Sequence, residues 1–183
     1  MTTRSSNIVF SSIEEVAGEM ITNQGDSVLA RSETKPVFLV FLRHFGCTFC
    51  REALADLSEK QDSFKNQGID MVFVHMSDNE TADRYFQNYG LKDAVHVADP
   101  ECAFYKAFGL TKGTFTQLFG LNTWIRGFSA GVVGGHGIGS QLGDGFQMPG
   151  IFVIRNGIIQ EQFIHKLASD RPDYDQLASC CRI

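Results

Sequence analysis

Hydrophobic and polar positions follow two rhythms along this chain. Residues 37–42 (VFLVFL) form an unbroken apolar run of β-forming residues, and 69–76 (IDMVFVHM) form a second. Such runs predict strands covered on both faces, as in parallel sheets. Between them Leu54, Leu57, Gln61 and Phe64 recur at helical spacing until Gly68, so the segment reads as a βαβ unit with a right-handed crossover. Upstream, Ser12-Ile13-Glu14-Glu15 opens a short helix with Ile13, Val16, Met20 and Ile21 on one face. Asn23 to Asp26 breaks it, and Val28-Leu29-Ala30 reads as a short strand before a turn at 32–35. Downstream come a helix at 79–88 stopped by Gly90, a strand at 94–98, and a helix at 101–108 entered through Asp99-Pro100. Residues 151–154 predict a strand, Asn156-Gly157 a hairpin turn, and 158–164 the returning strand. A last helix is expected at 175–181, after Arg171-Pro172. Residues 109–148 break both rhythms. They read as a Gly-rich insertion before the C-terminal β-hairpin, with one helical stretch at 115–128 and Trp124 as a packing anchor. Residues 1–11 read as a disordered tail, which leaves 12–183 as one α/β domain, a mixed sheet flanked by helices with an antiparallel end.

Composition narrows the function. The chain has 183 residues, 43% of them apolar, enough for a core without disulfide or metal staples. Its net charge of −5 argues against nucleic acid as a partner. No apolar run approaches the ~18 residues that span a bilayer, so no membrane partner is expected. The first ten residues lack the apolar centre of a secretory signal, which sets a cytoplasmic expectation. Five cysteines (Cys47, Cys50, Cys102, Cys180, Cys181) are odd in number and irregular in spacing, unlike a disulfide framework. No cofactor or metal is expected.

Chemistry concentrates at Cys47-Thr48-Phe49-Cys50. A C-x-x-C pair alone also serves zinc sites and haem attachment, but this one follows a buried strand and opens a helix. Unpaired amides and the helix dipole favour an anion there, so the Cys47 thiol is expected below its free value of ~8.5. Arg43 and His44 just upstream are candidates for added positive potential. The three-residue step lets Cys50 reach Cys47 and close a disulfide, with exchange through a mixed disulfide. Met148-Pro149 stands directly before the strand at 151–154. Thioredoxin folds set a cis-Pro at this point, facing the Cys pair, and a cis bond is the expectation here, against an ordinary trans-Pro at a strand start.

The stretch Phe41-Leu42-Arg43-His44-Phe45-Gly46-Cys47-Thr48-Phe49-Cys50-Arg51 resembles the peroxiredoxin-like 2 family, a branch related to AhpC/TSA that includes prostamide/prostaglandin F synthase. Gly143 to Ile154 (GDGFQMPGIFVI), His165-Lys166 and Ser169-Asp170-Arg171-Pro172 are similar to it too. The resemblance covers roughly 25–180. It implies a thioredoxin-like fold and thiol-dependent reductase activity on a small-molecule or protein disulfide or a peroxide, recharged by a reducing partner such as thioredoxin or glutathione. Two departures stand out. Thioredoxins carry a buried acid where this chain has Phe41, and peroxiredoxins carry Thr or Ser where it has Cys47, which would make Cys50 peroxidatic and Cys47 resolving. A peroxiredoxin-type Arg from a distant segment has Arg126 or Arg43 as candidates.

Three readings of the pair therefore stand: a dithiol oxidoreductase with Cys47 attacking and Cys50 resolving, a thiol peroxidase with the roles exchanged, and a redox sensor without turnover. Phe45 and Phe49 flank the pair as shields, groove walls or plain packing. Cys180-Cys181 reads as a distal resolving pair or an exposed tail, Cys102 as a small buried hydrophobe, and His136 as part of a structured glycine loop.

Overall fold

The structure, a computed structural model, describes residues 10–114, 117–118 and 144–181. Residues 1–9 of the expected tail, the expected helix at 115–128 apart from the helical residues 117–118, and Trp124, Arg126 and His136 lie outside the described residues.

The elements in order are α1 (Ile13–Glu19), α2 (Val28–Thr34), β1 (Val37–Phe41), α3 (Thr48–Asn66), β2 (Asp70–His75), α4 (Asn79–Asn88), β3 (Val95–Ala98), α5 (Ala103–Ala107), β4 (Gly150–Arg155), β5 (Ile158–Ile164) and α6 (Tyr174–Ala178). A short 3-10 turn, Ser179–Cys181, follows α6. The strands pair in the order β3-β2-β1-β4-β5. β1–β2 and β2–β3 are parallel, and β1–β4 and β4–β5 antiparallel. This is the thioredoxin-like mixed sheet with an antiparallel end. Asn156 and Gly157 both take positive φ, as the tight β4–β5 turn requires.

β1 explains the layers. All five of its residues are buried because alternate side chains enter different cores. Val37, Leu39 and Phe41 pack with α1, α2 and α5, among them Val16, Val28, Tyr105 and Phe108. Phe38 and Val40 pack with α3, α4 and α6, among them Leu54, Leu57, Phe64, Phe86, Tyr174 and Leu177. The sheet is thus sandwiched between helices, and the C-terminal end of its central strand opens toward the Cys pair.

Two expectations are corrected. Residues 28–30 are helical, not a strand: Ser27 Oγ caps α2 by accepting from Ala30 N at 3.1 Å, and Val28 and Ser32, four apart, form the buried face. Met148–Pro149 is trans, since no cis peptide bond occurs among the described residues. The chain runs extended through this bond. Gln147 pairs antiparallel with Lys112, Met148 N donates to Thr111 O at 3.2 Å, and Gly150 already pairs with Phe41 in the sheet. Extended backbone ahead of a trans-Pro is the conformation proline favours. The Lys112–Gln147 bridge also forms a neck closing the base of the insertion. Gly113 lets the Met148 side chain lie close there: a Cβ would meet Met148 Sδ at 2.7 Å and oblige that side chain to shift.

Candidate active site

β1 ends at Phe41, and the Leu42 amide adds one more sheet-like bond, to Val74 O at 2.9 Å. The chain then turns, with Cys47 N donating to His44 O at 2.9 Å, and enters α3 with Cys47 as the N-cap. Cys47 has no side-chain capping bond of the usual kind. Instead the amides of Phe49 and Cys50, orphans of the first helical turn, face its sulfur.

Both cysteines are free, and both are buried, Cys47 at 6% and Cys50 at 4% exposure. Their environments diverge. The Cys50 thiol donates to the Cys47 sulfur, and the Arg43 guanidinium and the two amides add to that effect; together they outweigh burial and bring Cys47 down to about 6. Burial pushes Cys50 well above its ordinary value, and the neighbouring Cys47 charge adds to the rise. The backbone amides of His44 and Arg43 oppose it, with Arg43 N donating to Cys50 Sγ at 3.2 Å.

Arg43 is the hinge of this arrangement. Its side chain is buried. Nη1 donates to Cys47 Sγ at 3.2 Å, Nε donates to the Gly145 carbonyl at 3.1 Å, and Nη2 donates to the same oxygen. One guanidinium therefore ties the sulfur to the segment just beyond the neck. Asp144 in that segment pairs with Lys112 at 2.6 Å, which fixes it from the other side.

A pocket of about 30 Å³, room for one or two water-sized groups, is lined by both cysteines and walled by Phe49, Pro149, Ile151 and His165. The Cys pair and Pro149 thus line one cavity. His44 contributes no charge, because burial and then the Arg43 charge push it down to about 4. Phe45 does not line the pocket. It turns into the core and stacks on Tyr85, with centroids 4.6 Å apart, so it is a packing residue. Thr48 is half-buried in the first turn of α3. Met148 is buried with Leu118 and Ala168, and Phe49 packs against the three.

Several pocket residues were not singled out from sequence: Glu52, Asp56, His165, Asp170, Arg171 and Tyr174. Arg171 grips Asp56 with two bonds, Nε to Oδ2 at 2.9 Å and Nη2 to Oδ1 at 2.6 Å, and lies 3.9 Å from Glu52. Burial pushes His165 down to about 4, and its Nδ1 is enclosed without a partner. For His165, Asp170 and Arg171 the only sequence signal is their place in the family-like pieces 165–166 and 169–172; Glu52, Asp56 and Tyr174 carry none.

The other thiols lie apart. Cys102 packs against the α5 core, and burial pushes its thiol up to about 11. Cys181 feels the charge of Arg155, at the opposite end of β4 from Gly150, the partner of Phe41. Cys180 and Cys181 are therefore at the far end of the sheet from Cys47. Among the described residues no group of three or more His, Cys, Asp or Glu is arranged to hold a metal, and no helix is long and apolar enough to cross a membrane.

Comparison with known proteins agrees with this fold. The model of the AhpC/TSA antioxidant enzyme family matches residues 56–166, more than half of the chain, in a segment that begins beyond Cys50. A thioredoxin-like protein, AAED1, of Arabidopsis thaliana chloroplasts is 28% identical over 78% of this chain, which spans 61% of the plant protein's length. A prostamide/prostaglandin F synthase of Salmo salar is 28% identical over 82% of this chain and 76% of its own. Among solved structures, peroxidoxin BcpB of Mycobacterium tuberculosis superposes with a TM-score of 0.58 at 14% identity, over 88% of this chain and 89% of its own. A thiol:disulfide interchange protein, DsbE, of Chlorobium tepidum gives 0.54 at 17% identity, over 86% and 87%.

Proposed function

The chain belongs to the AhpC/TSA antioxidant enzyme family, and from that premise we propose that it is a thiol-dependent oxidoreductase in which Cys47 attacks the substrate and Cys50 resolves the intermediate. The observation that carries this reading is the unequal treatment of the two sulfurs: the hydrogen bond from Cys50, with Arg43 and the α3 amides beside it, holds Cys47 down at about 6, while burial keeps Cys50 a thiol. At neutral pH Cys47 is then mostly thiolate, the form that attacks.

With a disulfide substrate, the Cys47 thiolate bonds to one substrate sulfur, and the other leaves with the electron pair and takes a proton. Cys50 then loses its proton and attacks the Cys47 sulfur. The substrate thiol departs, and a Cys47–Cys50 disulfide remains. With a hydroperoxide, Cys47 takes one oxygen as the sulfenic acid and releases the alcohol; Cys50 condenses with it to the same disulfide and water. Two electrons from an external dithiol or two monothiols, such as a thioredoxin or glutathione, restore the pair. The pocket's apolar wall and Pro149 flank the path to Cys47.

The family and the peroxiredoxin neighbours favour a second reading, a thiol peroxidase with Cys50 peroxidatic and Cys47 resolving. The two sulfurs are almost equally buried, and it is the raised, protonated Cys50 thiol beside a lowered Cys47 that weighs against that order of attack. Thiol-specific mass spectrometry after substoichiometric peroxide separates the two. Oxidation first at Cys47, with Cys50→Ser trapping an adduct on Cys47, supports the proposed order; sulfenic acid first at Cys50 reverses it. Single turnover without recycling by either reductant system would leave a sensor, not an enzyme.

A further inference from the structure

The mechanism asks a fully buried thiol, Cys50, to become a thiolate in the resolving step, in a place where burial opposes that charge. A chain of hydrogen bonds beside it answers this need. Tyr105, on α5, is completely buried. Its hydroxyl donates to the Leu42 carbonyl at 2.5 Å and stands 3.0 Å from the Val74 carbonyl. The Val74 oxygen already accepts the Leu42 amide at 2.9 Å, so the shorter contact, to Leu42, takes the phenolic proton. The Leu42 carbonyl and the Arg43 amide are the two ends of one peptide group. That Arg43 N–H donates to Cys50 Sγ at 3.2 Å.

A peptide group is conjugated, so a hydrogen bond at its oxygen draws charge from its nitrogen and makes the N–H a better donor. We propose that Tyr105 is a positioning residue for the resolving thiol: its hydroxyl, acting through the Leu42–Arg43 peptide, strengthens the amide bond that receives negative charge on Cys50. The inference rests on the reading of Cys50 as the resolving thiol.

The placement of the phenol is over-determined. Its ring meets Phe41 edge-on at 5.0 Å. Its own amide lies 3.2 Å from the Asp99 carboxylate, which also accepts from Ala103 and Phe104 and so fixes the start of α5. Burial pushes Tyr105 well above the ordinary phenol range, so it keeps its proton throughout and acts only as a donor. In the step it serves, Cys50 gives up its proton to water, the new thiolate attacks the Cys47 sulfur, and the bond from Cys47 to the substrate sulfur breaks. The electron pair leaves on the substrate sulfur, which is then protonated.

The test uses 5,5′-dithiobis(2-nitrobenzoate) on the full chain with Cys102, Cys180 and Cys181 replaced by Ser. Attack by Cys47 releases one coloured thiolate and leaves a mixed disulfide; attack by Cys50 releases the second. In Tyr105→Phe the first release is expected to be unchanged. The second is expected to slow roughly tenfold at neutral pH, with its pH profile moved up by about one unit. 3-Fluorotyrosine at position 105, a stronger donor of nearly the same shape, is expected to speed the second release and move its profile down, and it decides the matter if Tyr105→Phe does not fold. An unchanged second release in Tyr105→Phe, equal slowing of both releases, or a fluorotyrosine shift in the same direction as phenylalanine overturns the proposal. If instead Cys47→Ser still gives the first release, or the parent gives no second release, the reading of the Cys pair fails whatever Tyr105 does.

Discussion

The molecule carries two close pairs of thiols at opposite ends of its sheet, and their surroundings differ sharply. Cys47 and Cys50 sit three residues apart at the mouth of α3, where Arg43, two amides and the partner thiol converge on Cys47. Cys180 and Cys181 are adjacent on a short 3-10 turn, with sulfurs 3.8 Å apart. Burial and then the Cys180 neighbour push Cys181 up to about 12, and Arg155 only softens this. Cys180 Sγ merely donates to the Leu177 carbonyl at 3.2 Å. Adjacent Cα atoms stand about 3.8 Å apart, below the roughly 4.4–6.8 Å that a relaxed disulfide spans. Nearness of two sulfurs is therefore not the criterion. Reactivity comes from what stabilises the charge and from a spacing that lets the bond close.

The comparison breaks most visibly on substitution. Cys47→Ser is expected to lower turnover at least on the order of 10³-fold, while Cys180→Ser and Cys181→Ser leave it within error in a steady-state assay coupled to a thioredoxin or glutathione system. Next in size is the pH dependence of stability. Cys47 is held at about 6 against an ordinary value of 9.0, so above pH 9 its stabilisation is fully present, and it is lost as pH falls toward 6. Urea unfolding of the reduced protein should show stability rising by about 1 kcal/mol per pH unit between pH 6.5 and 7.5, below the range in which the raised thiols Cys50, Cys102 and Cys181 begin to oppose it. Cys47→Ser should flatten that slope and Cys181→Ser should not, because a thiol raised to about 12 acts only above its unfolded value. Arg43→Met comes third. Removing the cation should raise the Cys47 titration and slow its alkylation roughly tenfold at pH 7, with the rates converging near pH 9. The smallest expected effect is Phe49→Leu, which thins one pocket wall and should change the KM for bulky substrates a few-fold while leaving Cys47 alkylation intact.

The local patterns were legible and the convergences were not. The run at 37–42 announces β1 because every one of its side chains has a core to enter, and Asn79–Asn88 follows from an Asp78 cap that accepts from Thr81 N at 2.8 Å. Residues 28–30 misled because three apolar residues fit a strand as well as a helix, and the deciding signal was the preceding Ser27 cap. Phe45 looked like part of the site because it precedes Cys47 by two; its destination depends on Tyr85 and Phe86, which no local spacing reveals. Arg171 meets Asp56 across 115 positions, and Arg43 meets Gly145 across 102. Such contacts exist only once the sheet has closed. The sequence shows Arg43 close to Cys47 but not its second partner.

That second partner bears on how the protein tolerates mutation. The Gly145 atom that Arg43 holds is a main-chain oxygen, which every amino acid supplies, and Gly145 is not among the positions with positive φ. The clamp is thus forgiving at one end and demanding at the other. In a saturation library, a substitution at position 145 leaves the atom that Arg43 holds in place so long as the backbone path is kept. Position 43 needs a side chain with enough reach and enough donors to serve a sulfur and a carbonyl at once, and a planar guanidinium meets that requirement where a lysine ammonium does not.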